Sequence, residues 1–191
     1  MGRRSMILKK TNAVLSLLTL LGMVIHIGYN VFAYLTFYYN PGLKMMTAYP
    51  FMICVCLHAV LGVFLVIAGG DGTGIRYYPG LNLTTVIQRT SAALILLLLV
   101  VHIRMFDLMK YASSQGNWPL WWLLVFSEVL FFAAVISHVS VSFSKALVTL
   151  GWLGSMETKR KIDRTVYVLG ALIFLFTLYA VIKGQIMMFT A

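Results

Sequence analysis

Residues 86–109 read VIQRTSAALILLLLVVHIRMFDLM, and this run decides the fold class. Its centre, Ala92–Val101, is apolar at every position and does not alternate. A hydrocarbon layer about 30 Å thick is crossed by about 20 apolar residues of helix, whereas a membrane barrel uses alternating strands of about ten. The run is therefore a transmembrane helix. Four more stretches meet the same length: Ala13–Tyr38, Pro50–Ala68, Pro119–Val141 and Val166–Phe189. Hydrophobic residues make up 61% of the 191 positions and charged residues 10%, against about 25% charge in a soluble domain. The sequence predicts an all-α integral membrane bundle of five transmembrane helices, a single domain over residues 1–191. The first apolar run is too long for a signal-peptide core, and no small-residue cleavage site follows it.

A formal charge of +10 suggests nucleic acid until its distribution is read. Arg3, Arg4, Lys9 and Lys10 precede the first span, Arg76 and Arg89 border the second connection, and Lys145, Lys159, Arg160, Lys161 and Arg164 surround the fourth. The opposite side carries only Lys44, Arg104, Lys110 and Lys183. The positive-inside rule then puts the N-terminus in the cytoplasm and the C-terminus outside, in the inner (cytoplasmic) membrane of the cell. No nucleic-acid partner is expected. Basic residues left over from this signal form a face on which a soluble partner can dock.

The connections are short. Asn40–Tyr49 reads as an outer loop opened by the turn signal Asn40-Pro41-Gly42. Gly69–Gly74 reads as a flexible inner turn, because it lacks the lysine and Ser/Thr of a phosphate-binding loop. Trp118, Trp121 and Trp122 stand at the outer start of the fourth span, where an aromatic belt belongs. The polar stretch Ser142–Asp163 is read as prolonging the fourth helix in its first part, carrying Lys145 and Trp152. Cys54 and Cys56 are two apart with no C-x-x-C-H motif, and read as packing residues.

The four histidines, His26, His58, His102 and His138, fall one to a span in the first four spans. Ionisable groups in lipid are costly and mark function. Four imidazoles on four helices suit bis-histidine ligation of haem b, which takes two rings from facing helices at one depth. Small or polar residues lie one turn away: Gly22 and Asn30 beside His26, Cys54 and Gly62 beside His58, Ala134 and Ser142 beside His138. His102 lies between Leu98 and Phe106. Zinc is disfavoured, since no H-x-x-x-H or acidic cluster accompanies the rings. At 1.5 Å per residue, His26 and His102 lie about 24 and 20 Å from the inner charges, and His58 and His138 about 17 and 11 Å. This ladder pairs His26 with His102 at an outer haem and His58 with His138 at an inner one.

Two further stretches carry a resemblance. Gln88-Arg89-Thr90-Ser91 opens the third span ahead of His102, and His138 is followed by Ser142-Phe143 and Thr149-Leu150-Gly151-Trp152. With the helix count and the histidine order, these resemble the five-helix di-haem cytochrome b subunit of succinate:quinone and quinol:fumarate oxidoreductases. Its Q-R-x-S-G entry has Ala92 here in place of glycine, and its H-x-x-N-G stretch has serines. The resemblance implies two haem b groups, a quinone substrate (menaquinone or ubiquinone), and two soluble partners. Those are an iron–sulfur subunit and an FAD flavoprotein that interconverts succinate and fumarate. This chain would then carry electrons between the quinone and the iron–sulfur subunit, with no dicarboxylate chemistry of its own.

Other charged residues lie in the spans. Glu128 is a candidate proton acceptor for quinone chemistry, since quinone reduction moves protons with electrons. The structural alternative is an ion pair, Arg104 with Glu128 or with Asp107. Arg89 is a candidate partner for a haem propionate or for the quinone, because arginine pairs well with carboxylates. Two other functions remain open: a di-haem anchor of another respiratory enzyme (formate dehydrogenase, hydrogenase or nitrate reductase), and a haem-free transporter or assembly factor with a histidine proton relay. Transporters often break helices at midplane, and no proline falls inside the spans as read here.

Overall fold

A computed structural model describes residues 3–69 and 79–189, which form five α-helices: α1 (Arg3–Thr36), α2 (Pro41–Gly69), α3 (Pro79–Ser114), α4 (Trp118–Leu150) and α5 (Met156–Phe189). All five are long and apolar enough to cross a membrane. The protein is an all-α bundle of candidate transmembrane helices. Its helices are apolar on nearly every side, the pattern of a helix solvated by lipid rather than by water. On α2, Ile53, Val60 and Ile67, spaced by seven, are 61%, 71% and 79% exposed. They form a ridge that only hydrocarbon can cover without cost.

The helices run longer than the apolar stretches because capping chemistry, and not hydropathy, fixes their ends. The expected loop Asn40–Tyr49 is the clearest correction. Asn40 caps α2: its Oδ1 accepts from Leu43 N at 3.2 Å and its carbonyl from Lys44 N at 3.0 Å. Pro41 takes the first helical position, where its missing N–H costs nothing. Tyr29 locks this cap to α1, its hydroxyl donating to the Asn40 carbonyl at 2.8 Å and accepting from Asn40 N at 3.0 Å. Pro50 consequently lies inside α2, contrary to the expectation of proline-free spans. It leaves the Met46 carbonyl without a helical donor, and the helix continues through it.

At the other end α4 does run on through Lys145, to Leu150. It stops at Gly151, whose φ of 82° is the left-handed cap. Trp152 N donates to the Leu147 carbonyl at 2.9 Å and Gly151 N to Val148 at 3.0 Å, the paired bonds of a Schellman ending. Trp152 thus sits in the turn and not on the helix. Ser155 then opens α5 by accepting from Thr158 N at 3.1 Å. The expected glycine turn lies almost wholly outside the described residues, as does Arg76. Cys54 is half-buried and Cys56 exposed, so only the first serves packing.

Packing divides the bundle. Helix α1 lies along α2, and α3 along α4; α4 also contacts α5 and α1, and α5 contacts α1. Lipid gives apolar faces no reason to associate, so close approach rests on small residues. Gly170 admits Ser140 and Ile136 of α4, Gly22 admits Phe51 of α2, and Gly184 admits the ring of Tyr34 of α1. Among the described residues α2 packs on none of α3, α4 and α5, and α1 does not pack on α3. No residue of α2 from Pro41 to Ile67 is buried.

Gly184 is the tightest of the three contacts. A Cβ there would fall on the Tyr34 ring and lie 3.0 Å from the Tyr34 Cβ, an atom that no rotamer change can move away. Gly184→Leu should therefore lower stability by about 1–3 kcal/mol, read as a lower unfolding temperature in detergent. Gly154→Ala, in a turn where a Cβ meets nothing within 4 Å, should leave it unchanged.

Candidate functional site

The histidines stand at two levels. Toward the end where α1 and α3 begin, the basic end, the ring of His58 on α2 meets that of His138 on α4. Their centroids are 6.3 Å apart and their planes at 70°. The backbones of these two helices do not pack together, so the imidazoles span the space between them.

His138 is held by the N-terminal third of α3. Its Nδ1 lies 3.1 Å from the Gln88 carbonyl and 3.3 Å from Ser91 Oγ. Ser91 places its own hydrogen on the Ile87 carbonyl at 2.6 Å, so both partners of Nδ1 are acceptors. The hydrogen is therefore on Nδ1, which leaves the Nε2 lone pair free for a metal. Gln88 serves twice, since its Oε1 accepts from Lys145 Nζ at 3.0 Å. Arg89 lies within electrostatic reach of His138 and Lys145, and its Nε is buried without a partner. The nearby carboxylate of Asp163 is bound to Lys159 at 2.6 Å. Arg89 and Lys145 together leave this end net positive, a setting that suits a bound carboxylate.

The second level lies about 15 Å further along α4, from the ten residues between Glu128 and His138. Here His102 Nδ1 is 2.9 Å from Glu128 Oε1. Phe131 lies flat on the imidazole, with centroids 4.4 Å apart and planes at 18°, and Phe132 meets it edge-on at 6.0 Å. Glu128 is 5% exposed, and its Oε2 has no partner. The ion pair expected from Arg104 is not formed; Arg104 is exposed, and the partner of Glu128 is the histidine two residues earlier on the same helix.

His26 on α1 lies within electrostatic reach of His102. Its Nε2 is 3.3 Å from Asn30 Nδ2, which also donates to the His26 carbonyl at 2.7 Å, and its Nδ1 is buried without a partner. Phe51 stacks on its ring at 5.5 Å and fills the space over Gly22, so the narrow face one turn below His26 is occupied.

The residues can be tested against the expected haem. Metal–nitrogen bonds of about 2 Å, with each ring centre about 1 Å behind its nitrogen, put two imidazoles on one iron about 6 Å apart. The His58–His138 separation meets this, and Gly62, one turn from His58, faces open space where a Cβ would touch nothing within 4 Å. At the other level α1 and α3 likewise do not pack on one another, and His26 lies within electrostatic reach of His102, while Phe51 and Asn30 lie close to the His26 ring. Among the described residues no three His, Cys, Asp or Glu side chains converge.

Several contributors escaped the sequence reading. Gln88 and Ser91, part of the motif that opens the third span, act as the support of His138. Tyr34 lies within electrostatic reach of Glu128 and beside the side-chain amide of Gln185, which is 1% exposed. A single amide near the end of an otherwise apolar run was the available signal for it. The chain matches no family model, no curated protein and no solved structure.

Proposed function

We propose that this chain is the membrane anchor and electron-transfer subunit of a succinate dehydrogenase or fumarate reductase complex, holding two haem b groups between quinone and an iron–sulfur subunit. The observation that carries the reading is the pair of helices α2 and α4, held apart with one imidazole from each meeting between them. Bound haem would supply one-electron chemistry; the chain's own residues position it. His58 and His138 would hold the haem at the basic end, with the Gln88 carbonyl and Ser91 fixing the His138 tautomer. His26 and His102 would hold the second. Arg89, with an unpaired buried Nε, would neutralise a propionate, and Lys145 adds to the positive field there.

In this reading the basic end is cytoplasmic and carries the iron–sulfur and flavoprotein subunits, and the C-terminus lies outside, in the inner (cytoplasmic) membrane. Quinone reacts at the opposite level, where the unpaired Glu128 Oε2 is the proton acceptor. The carboxyl is buried, so its proton traffic would be coupled to the quinone and screened from water.

Gentle solubilisation followed by identification of the attached subunits tests the reading, together with a reduced-minus-oxidised spectrum. The expected result is a b-type α-band and co-purification with an iron–sulfur protein and a flavoprotein. A stable chain without haem, or one bound to a molybdenum or nickel enzyme, would overturn it.

A further inference from the structure

We propose that Glu128 is the positioning residue of His102: its Oε1 takes the Nδ1 hydrogen, aims Nε2 at the iron, and raises the electron density that this imidazole supplies. The inference rests on the haem reading above, but its grounds are the chain's own geometry. The contact is 2.9 Å, a well-formed nitrogen–oxygen hydrogen bond. Phe131, one turn along from Glu128 on α4, lies flat against the same ring. One helix therefore fixes the imidazole twice, by a bond in its plane and by a stack on its face. The ring cannot turn without losing both.

The two levels differ in this respect. At His138 the acceptors on Nδ1 are a backbone carbonyl and a hydroxyl, both neutral. At His102 the acceptor is a carboxyl group, and among the described residues no lysine or arginine shares it. A carboxylate on the outer nitrogen of a ligating histidine fixes its tautomer, raises its basicity, and typically contributes 10–100-fold in metal affinity. Hydrogen bonding of this kind is one of the levers by which a protein sets a haem potential. An acidic side chain is expensive inside an apolar bundle, and this role explains its position opposite His102.

The test uses the assembled complex carrying Glu128→Gln or Glu128→Leu, titrated electrochemically at the b-type band. Glu128→Gln keeps an acceptor oxygen but removes the charge, so both components should remain. The midpoint of one should move upward, while the component lost in His138→Ala stays in place. Glu128→Leu removes the acceptor as well, and should weaken retention of that same haem by tenfold or more. Turnover with quinol falls whether Glu128 acts on quinone or through His102, so the potential is the deciding readout. Wild-type potentials in Glu128→Gln would overturn the role of Glu128 alone. A wild-type complex with no b-type band would overturn the haem reading on which it rests.

Discussion

Alanine at His58 or at His138 should remove the same one of two b-type spectral components, and alanine at His26 or at His102 should remove the other. In the proposed reading two axial nitrogens would hold each iron, so losing either would leave a ligand position open and a ring-sized space unfilled between helices that do not pack on one another. The effect should be largest at His138. Its imidazole is fixed by Gln88 and Ser91, whereas the Nδ1 of His58 has no partner, so His138 is the more firmly held ligand of the basic-end pair. Reduced-minus-oxidised spectra and haem-to-protein ratios of the four variants check the expectation. Loss of the same component from His26→Ala and His58→Ala would show the pairing to be wrong.

Leucine at Gly62 should cost the basic-end component without costing the fold. Gly62 is half-buried, four residues from His58 and on the same face of α2, and a Cβ there meets nothing within 4 Å. In a helix, leucine is favoured over glycine by about 0.8 kcal/mol, so the polypeptide itself should be at least as stable. A leucine side chain would instead project into the space a macrocycle needs. Gly28→Leu is the control. It also meets nothing within 4 Å, but it is exposed and lies two residues from His26, nearly opposite it around the helix. Haem content and unfolding temperature in detergent separate the outcomes. A full haem complement in Gly62→Leu would mean that the ring does not lie beside Gly62.

The sequence by itself determined the five spans and their class, because hydropathy and the fixed rise of a helix act locally. A run such as Ala92–Val101 has no other stable form in lipid. The spacing of each histidine along its helix was legible for the same reason, being a count of residues times a constant. Helix ends were less so. Asn40-Pro41-Gly42 reads as a turn, yet a capping asparagine followed by proline also starts a helix, and the Tyr29 hydroxyl that locks this one is eleven residues away.

What the tertiary structure alone decided is which way each helix is turned. His102 and Arg104 are neighbours in sequence but lie about 200° apart around α3. Met105, Met109 and Ala112 share the His102 face and pack with Trp121, Leu124 and Val125 of α4. That apolar contact turns His102 toward Glu128 and leaves Arg104 outside, so the ion pair plausible from sequence became a histidine–carboxyl bond. The separation of α2 from α4, the support of His138 by Gln88, and the burial of Gln185 against its neighbours were decided in the same way. Each depends on the azimuth and spacing of whole helices, which are set by contacts between residues far apart in the chain, and no local pattern encodes them.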